Sequence, residues 1–346
     1  MNFEKILDSG QICVSVPCRV DLGGTLDIIS FYLPLNGVSP SSFNIALDAR
    51  TIVKLYPWDK DYVKVSSKGF KSAVFRKNMA DFTHPLGLMF AVASYFNAHG
   101  VHIEIESSSP PRSALGGSSS AAVGLVSAFF HALGQRPGRE QAAWLAHYIE
   151  ASVAGVPCGM QDQLAAAFGG VNQWIWKMGI KSPEFERRPV FETADMTDAF
   201  NSNILVAYCG IPHVSKDINS QWVHSFTRGK TRPEFRKIAE ITHEFSQAVR
   251  SCDFRLAADL MNIETRIRLE MTPDVLDNTG KKLFEMAVEC GCGARFTGAG
   301  GGGCLWAVGE DSSIRNLKPS WQKILAQVEH GKILDTKIDH KGIIIN

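Results

Sequence analysis

The chain has 346 residues, of which 45% are hydrophobic and 21% charged, and its formal net charge is +1. That length buries a sizeable core and favours two domains. A balance so close to zero gives no global reason to expect nucleic acid or a membrane surface as a partner.

In chain order, Met1 to Gly10 carries Glu4, Lys5 and Asp8 without the apolar core of a signal peptide. No later apolar run reaches the roughly 18 to 20 residues of a membrane span, so a cytoplasmic protein is expected. Residues 12–20 are β-branched and nearly alternating, a strand. It ends in the glycine turn Asp21-Leu22-Gly23-Gly24-Thr25-Leu26-Asp27, preceded by Arg19. Strands follow at 43–56 and 61–66 around a turn at Trp58–Asp61, then helical spacing over 84–99 and an alternating strand at 102–106. From 113 to 120 a loop of small residues runs into an apolar helical stretch reaching 130. A second helix, 139–151, stops at Gly155-Val156-Pro157-Cys158-Gly159. Met160–Gln163 leads into an alanine-rich turn, and 171–177 reads as a strand. Residues 179–200 look irregular and hold the expected domain boundary, giving domains of 1–185 and 186–346.

The second half opens with a strand at 204–209. Helical stretches follow at 233–250, 254–270 and 274–290. The glycine-packed turn 297–303 then enters a strand, and a helix near 312–330 and a short strand close the chain. The eight cysteines form no Cys-x-x-Cys pair and mostly sit in apolar runs. They read as free thiols in a reducing compartment.

Familiar signatures fall away. Gly229-Lys230-Thr231 has His224 where a Walker A loop has glycine, and His243-Glu244 has Gln247 where a zincin has its second histidine. Gly298-x-Gly300-x-x-Gly303 leads into a strand and not into the helix a dinucleotide fingerprint needs.

Three glycine-rich segments remain. In the central one, Gly116 and Gly117 let the backbone curl, and the serines suit a helix N-terminus, a ready anion site. Hydroxyls there can hold a phosphate's Mg²⁺. Glu150 and Asp162 suit metal binding and proton acceptance; equally, Glu150 can be a solvated helix residue and Asp162 the cap of a helix starting near Gln163.

In order, the segments resemble the three motifs of the GHMP kinases. Motif one is matched by Pro17-Cys18-Arg19-Val20-Asp21-Leu22-Gly23-Gly24, motif two by Leu115-Gly116-Gly117-Ser118-Ser119-Ser120-Ala121-Ala122, and motif three by Thr297-Gly298-Ala299-Gly300-Gly301-Gly302-Gly303. Pro157–Gln163 is similar to the galactokinase stretch around its catalytic aspartate. Glu150 stands twelve residues before Asp162, as the Mg²⁺-binding glutamate does in that family. Gly24-Thr25-Leu26-Asp27 departs from the galactokinase Gly-Glu-His-x-Asp. The run from Gln161 to Gly170 looks more like the D-glycero-D-manno-heptose 7-phosphate kinases, although Arg112-Ser113-Ala114 replaces their Gly-Ser-Gly and implies a stiffer loop.

The resemblance implies an α+β protein of two-domain GHMP kinase architecture. Its N-terminal domain would be ribosomal S5 domain 2-like, its C-terminal domain ferredoxin-like, and its site would lie between them. It implies ATP and Mg²⁺ as cofactors, and a small-molecule sugar or sugar phosphate as acceptor. Asp162 and Arg19 would be catalytic. Ser113, Ala114, Leu115, Gly116, Gly117, Ser118, Ser119 and Ser120 would hold ATP, while Ser118 and Glu150 hold the metal (Ser119 being the alternative hydroxyl). Asp21, Gly23, Gly24, Asp27, Gln161, Gly300 and Gly301 would face the acceptor. His213, Ser215 and Lys216, in a loop between a strand and a helical segment, would meet its far phosphate. The acceptor expected is the anomeric O1 of D-glycero-D-manno-heptose 7-phosphate; a galactokinase-like or other hexose 1-kinase, a catalytically silent sugar- and ATP-binding sensor, and a family member with isoprenoid chemistry are the other readings.

Overall fold

The structure, a computed structural model, describes residues 1–7, 10–35, 37–179, 183–212 and 218–346. The first sheet is built from β1 (Ile12–Leu22), β2 (Ser41–Pro57), β3 (Tyr62–Ser67), β4 (Ala73–Arg76), β5 (Val101–Ser107), β6 (Val171–Met178) and β7 (Pro183–Pro189). With it go α1 (Phe3–Ile6), α2 (Gly87–Tyr95), α3 (Gly117–Ala132), α4 (Arg139–Val153) and α5 (Gln161–Phe168). The second, four-stranded sheet has β8 (Ile204–Tyr208), β9 (Gly293–Phe296), β10 (Cys304–Val308) and β11 (Lys332–Ile333), in the order β11-β8-β10-β9. Its helices are α6 (Ala194–Phe200), α7 (Ile218–Thr227), α8 (Arg232–Arg250), α9 (Phe254–Met271), α10 (Asn278–Glu289) and α11 (Asp311–Leu325). Helices and mostly antiparallel strands segregate in this way in an α+β protein.

Strand β2 is long enough to serve two neighbours. Its first residues pair with β6, Ser41 opposite Ile175, and its later ones with β5, Thr51 opposite Ser107. Along β1 the register slips between Pro17 and Cys18. Proline there has no N–H to give the ladder, which makes this the natural place for a bulge. Beyond the slip, Cys18, Val20 and Leu22 join a core that contains Val206, Tyr208 and Trp306 of the second sheet.

The segment after β1 crosses over further still. Leu26, Ile28, Phe31 and Leu35 are buried in the core of the C-terminal half, with the Phe31 ring 4.4 Å from that of Phe226 and 4.5 Å from that of Phe235. Fully burying an aliphatic or aromatic side chain of this size is worth about 1.5–3 kcal/mol, so this insertion is firmly held. The chain also returns at its other end. β12 (Ile344–Ile345) pairs antiparallel with β1. Arg50 fastens the returning stretch through Asp339, the Gly342 carbonyl and Ser15.

Residues 179–200, expected to be irregular, contain β7 and α6. β7 is an edge strand on β6 with prolines at its two ends, where a missing N–H costs nothing. Its charged residues hid the alternation. The expected boundary after residue 185 therefore falls inside a strand. No helix among the described residues is long and apolar enough to cross a membrane.

Candidate active site

The serine loop approaches α3 through residues in the left-handed region: Arg112 at φ 55°, Ala114 at 60° and Gly116 at 74°. Left-handed residues spaced this way turn backbone N–H groups toward one side and make an anion-binding nest. Two of the three are not glycine, so the loop carries strain at the positions where the resemblance expected glycines. Gly116 is the N-cap of α3 and offers no side chain to the helix end, whose first amides have no partner within the helix. Ser118 stands exposed on the cavity. Ser119 is buried and donates to Glu150 Oε2 at 2.8 Å, and Ser120 donates to the Pro17 carbonyl at 2.9 Å, tying the loop to β1.

Glu150, near the end of α4, also accepts from Gln163 Nε2 at 2.6 Å. Burial pushes its carboxyl up to about 7, Asp162 adds to the shift, and the bonds from Ser119 and Gln163 oppose it. The hydroxyl beside Glu150 is thus that of Ser119 and not Ser118. No group of three or more His, Cys, Asp or Glu side chains among the described residues gathers as a metal cluster.

α5 begins at Gln161, with Met160 as N-cap, so Asp162 lies in its first turn rather than capping it. Arg19 grips Asp162 with both arms, Nε to Oδ1 at 2.8 Å and Nη2 to Oδ2 at 2.9 Å. Its Nη1 donates to the Ala114 carbonyl at 2.7 Å. Burial works against the Arg19 charge, but Asp162 and Asp21 outweigh it and raise the pKa. Gly116 is what lets the carboxylate come close: a Cβ there would lie 3.1 Å from Asp162 Oδ2.

Asp27 is nearly sealed from solvent, at 6% exposure. One oxygen accepts from the Gln161 amide at 3.0 Å. Burial raises its pKa to about 6, and the Asp162 and Asp21 charges add to this, against the Gln161 bond. Gly159 makes room for it, because a Cβ at 159 would sit 1.8 Å from Asp27 Oδ2. Cys158, beside it, has a thiol pushed up to about 12 by burial and stays neutral.

These groups border one cavity of about 440 Å³. At one end lie Ser67, Lys68, Phe70, Leu86, Met89 and Ile105; at the other, Thr25, Asp27, Cys158, Gln161 and Asn219, with the serine loop, Arg19, Glu150 and Asp162 between. Gln161 Oε1 is buried without a hydrogen-bond partner.

Other predicted contacts lie elsewhere. Asp21 is fully buried. Its carboxylate accepts from the Gly298 amide at 2.7 Å and from Arg295 at 3.2 Å, so it binds motif one to motif three instead of meeting a ligand. Gly23, Gly24, Gly300 and Gly301 do not line the cavity. A Cβ on Gly24 would meet Asp21 Oδ2 at 2.2 Å and one on Gly300 the Val275 carbonyl at 2.5 Å. The space that Gly23, Gly24 and Gly300 spare is taken by protein. His213, Ser215 and Lys216 lie outside the described residues.

The residues that the motifs did not reveal are charges behind the site. Glu264 and Arg268 of α9 and Arg295 of β9 are fully buried. Glu264 accepts from Arg268 and from Arg295, each at 3.0 Å, and Arg295 reaches Asp21, which lies 3.6 Å from Arg19. An arginine inside the apolar strand Ala294-Arg295-Phe296 was the one available signal, since arginine is almost never fully buried unpaired.

Residues 84–170 match the GHMP kinases N terminal domain and residues 245–327 the GHMP kinases C terminal domain. A D-glycero-alpha-D-manno-heptose 7-phosphate kinase of Campylobacter jejuni is 24% identical over 275 residues, 79% of this chain and 75% of that protein. A mevalonate kinase of Thermococcus onnurineus is 24% identical over 363 residues, 97% of this chain and 98% of the other. The structure of Lactococcus lactis galactokinase complexed with galactose superposes with a TM-score of 0.75 at 17% identity, covering 99% of this chain and 97% of that one.

Proposed function

The chain belongs to the GHMP kinases, phosphotransferases acting on sugars or sugar-like alcohols, and on that footing we propose that it transfers the γ-phosphoryl group of ATP to a sugar hydroxyl. The acceptor we propose is the anomeric hydroxyl of D-glycero-D-manno-heptose 7-phosphate. The observation that carries the reading is the two-armed Arg19–Asp162 pair at the mouth of the serine loop, with Asp27 and the unpartnered Gln161 Oε1 beyond it.

Phosphoryl transfer asks mainly for positioning and charge neutralisation. The amides of the loop and of the first turn of α3 cradle the phosphates. Asp162 orients the attacking hydroxyl and accepts its proton, and the two-armed grip of Arg19 keeps the carboxylate aimed. Arg19, within reach of both Asp162 and the loop carbonyl of Ala114, also offsets charge on the group in transit. Asp27, Gln161 and Thr25 bind acceptor hydroxyls.

The residues present fit Mg²⁺. Glu150 is a carboxylate whose burial no cation among the described residues compensates, and the orphaned Oε1 of Gln163 lies in the same corner. Glu150 with Ser119 or Ser118 would hold the ion, which keeps most of its own waters. When bound it neutralises the phosphate oxygens.

Galactokinase-like transfer to a hexose is the second reading, supported by the same carboxylates. A mevalonate-type acceptor is the third reading, favoured by the full-length likeness to a mevalonate kinase; its carboxylate, like the 7-phosphate of the heptose, needs a cation, and the cations lining the cavity among the described residues are Arg19, Lys68 and Arg112. The experiment is ADP release with D-glycero-D-manno-heptose 7-phosphate, galactose and mevalonate. Heptose 7-phosphate is expected to give the highest kcat/KM, and a mevalonate preference overturns the sugar reading.

A further inference from the structure

The turn that presents Asp27 is held from behind by the other half of the chain. Arg268 of α9 donates through Nη1 to Thr25 Oγ1 at 3.1 Å and through Nη2 to the Gly24 carbonyl at 2.7 Å. Its guanidinium lies 4.5 Å from the Trp222 ring and 5.1 Å from that of Phe235, and its Nε is fixed by Glu264. Each of the three guanidinium nitrogens thereby has a partner that fixes its orientation.

Thr25 needs such a hold. It sits at φ 76°, a region that a β-branched residue enters only under external constraint. The consequences run two residues on. The Ile28 amide bonds the Thr25 carbonyl at 2.9 Å, which closes the turn around Asp27. Asp27 then meets the first amide of α5, the helix whose next residue is Asp162. Thr25 and Asp27 both line the cavity, whereas Arg268, with no exposed surface, lines none of it.

We propose that Arg268, backed by Glu264, is a positioning residue for acceptor recognition: it locks Thr25 in the left-handed conformation so that Asp27 faces the acceptor. Arg268 acts through Thr25 and touches neither substrate. Specificity for the acceptor is thus set partly by α9, while the nucleotide end is set by the serine loop. This inference rests on the kinase reading above for the identity of the acceptor, but not for the geometry.

The test compares Thr25→Val with Thr25→Gly. Both lose the hydroxyl that Arg268 grips, yet glycine takes φ > 0 freely and valine does not. With heptose 7-phosphate or galactose, whichever turns over, Thr25→Val is expected to raise the acceptor KM roughly tenfold, because a β-branched residue without the grip leaves the left-handed region from which Asp27 is presented. Thr25→Gly should raise it distinctly less, and the KM for ATP should stay within about twofold in both. Arg268→Met should resemble Thr25→Val, and adding Thr25→Gly to it should restore part of the acceptor affinity. A second readout needs no substrate: amide hydrogen exchange at Gln161, whose N–H is covered by Asp27, should speed up in Thr25→Val and less in Thr25→Gly. Equal effects of valine and glycine, or parallel shifts in both KM values, overturn the proposal. If neither sugar turns over, the proposed function fails, and the exchange rates still decide this inference. If Asp162→Asn abolishes turnover while the Thr25 and Arg268 variants match wild type in KM and exchange, the inference alone fails.

Discussion

On the serine-loop side of the cavity the polar groups are short, near one another in sequence and partly open to solvent. On the Asp27 side they come from distant segments and are sealed, with Arg268 gripping a carbonyl 244 residues away at Gly24. The first wall is made largely by backbone conformation, fastened by short bonds to β1 (Ser120 to the Pro17 carbonyl) and β10 (the Cys304 amide to the Ser113 carbonyl, 2.9 Å). The second exists only once α9 and β9 have folded against β1, and its charges are tolerated because they alternate: Arg19, Asp21, Arg295, Glu264, Arg268. Removing one member of such a buried set strands its neighbours. Damage to the first wall should therefore appear in turnover and metal dependence, and damage to the second in stability and acceptor affinity.

The sharpest way to break that division is Asp162→Asn, at the seam of the two walls. It should lower kcat by roughly 10² to 10⁴, the span of a general base, while ATP binding by calorimetry stays near wild type. Turnover close to normal would remove Asp162 from the chemistry and leave it a partner of Arg19 only.

Asp27→Asn probes the sealed wall through pH. The folded carboxyl titrates near 6, above the ordinary value of about 3.9. Between those two values the folded state binds more protons than the unfolded chain, so wild-type stability falls as pH rises through that window. Asparagine cannot ionise and still accepts from the Gln161 amide. The variant should lack this decline and be more stable at pH 7 by up to about 3 kcal/mol, as read by denaturant unfolding at pH 4.5 and 7. Identical pH profiles for the two proteins would show that Asp27 is ionised at no cost.

Next comes the open wall. Ser119→Ala and Glu150→Gln should each raise the Mg²⁺ concentration for half-maximal activity roughly tenfold, in line with ligand or supporting-shell losses in metal sites. Ser118→Ala is the comparison. A shift confined to Ser118→Ala would make the exposed hydroxyl the ligand and Ser119 only a prop for Glu150.

The smallest effect is expected at Ala114. Its left-handed backbone costs about 1–2 kcal/mol, and the ideal Cβ of Gly303 would lie 2.9 Å from the Ala114 methyl. Ala114→Gly should relieve the strain and, after the entropy that glycine returns to the unfolded chain, stabilise by up to about 1 kcal/mol in a urea titration. A loss of stability would mean that the loop is not strained.

Much of this was legible in the sequence because glycine and helix signals are local. Strand β1, the serine loop, α3 and α4 follow from residues close to a motif, whereas Arg19 and Asp162, 143 residues apart, were brought together only by the resemblance to galactokinase. The buried charges were not legible, because Glu264 and Arg268 stand one helical turn apart and read as an ordinary exposed ion pair. Only the packing of Trp222 and Phe235 over them turns that face inward. The motif-three glycines misled for a related reason: glycine marks a close approach without saying what approaches, and at 300 the neighbour is the Val275 carbonyl rather than a ligand. β7 was missed because its alternation is carried by one aromatic among charges.

The burial of Leu26, Ile28, Phe31 and Leu35 in the C-terminal core, together with the return of β12 to β1, bears on how the chain can be cut. A fragment ending at residue 190 would leave those four side chains without a partner and β1 without an outer neighbour. A fragment starting there would have a hole where Phe31 packs. Neither half should fold alone, and the pair should unfold as one cooperative unit in spite of its two sheets. Co-expressed halves would have to find each other before either could reach its native state.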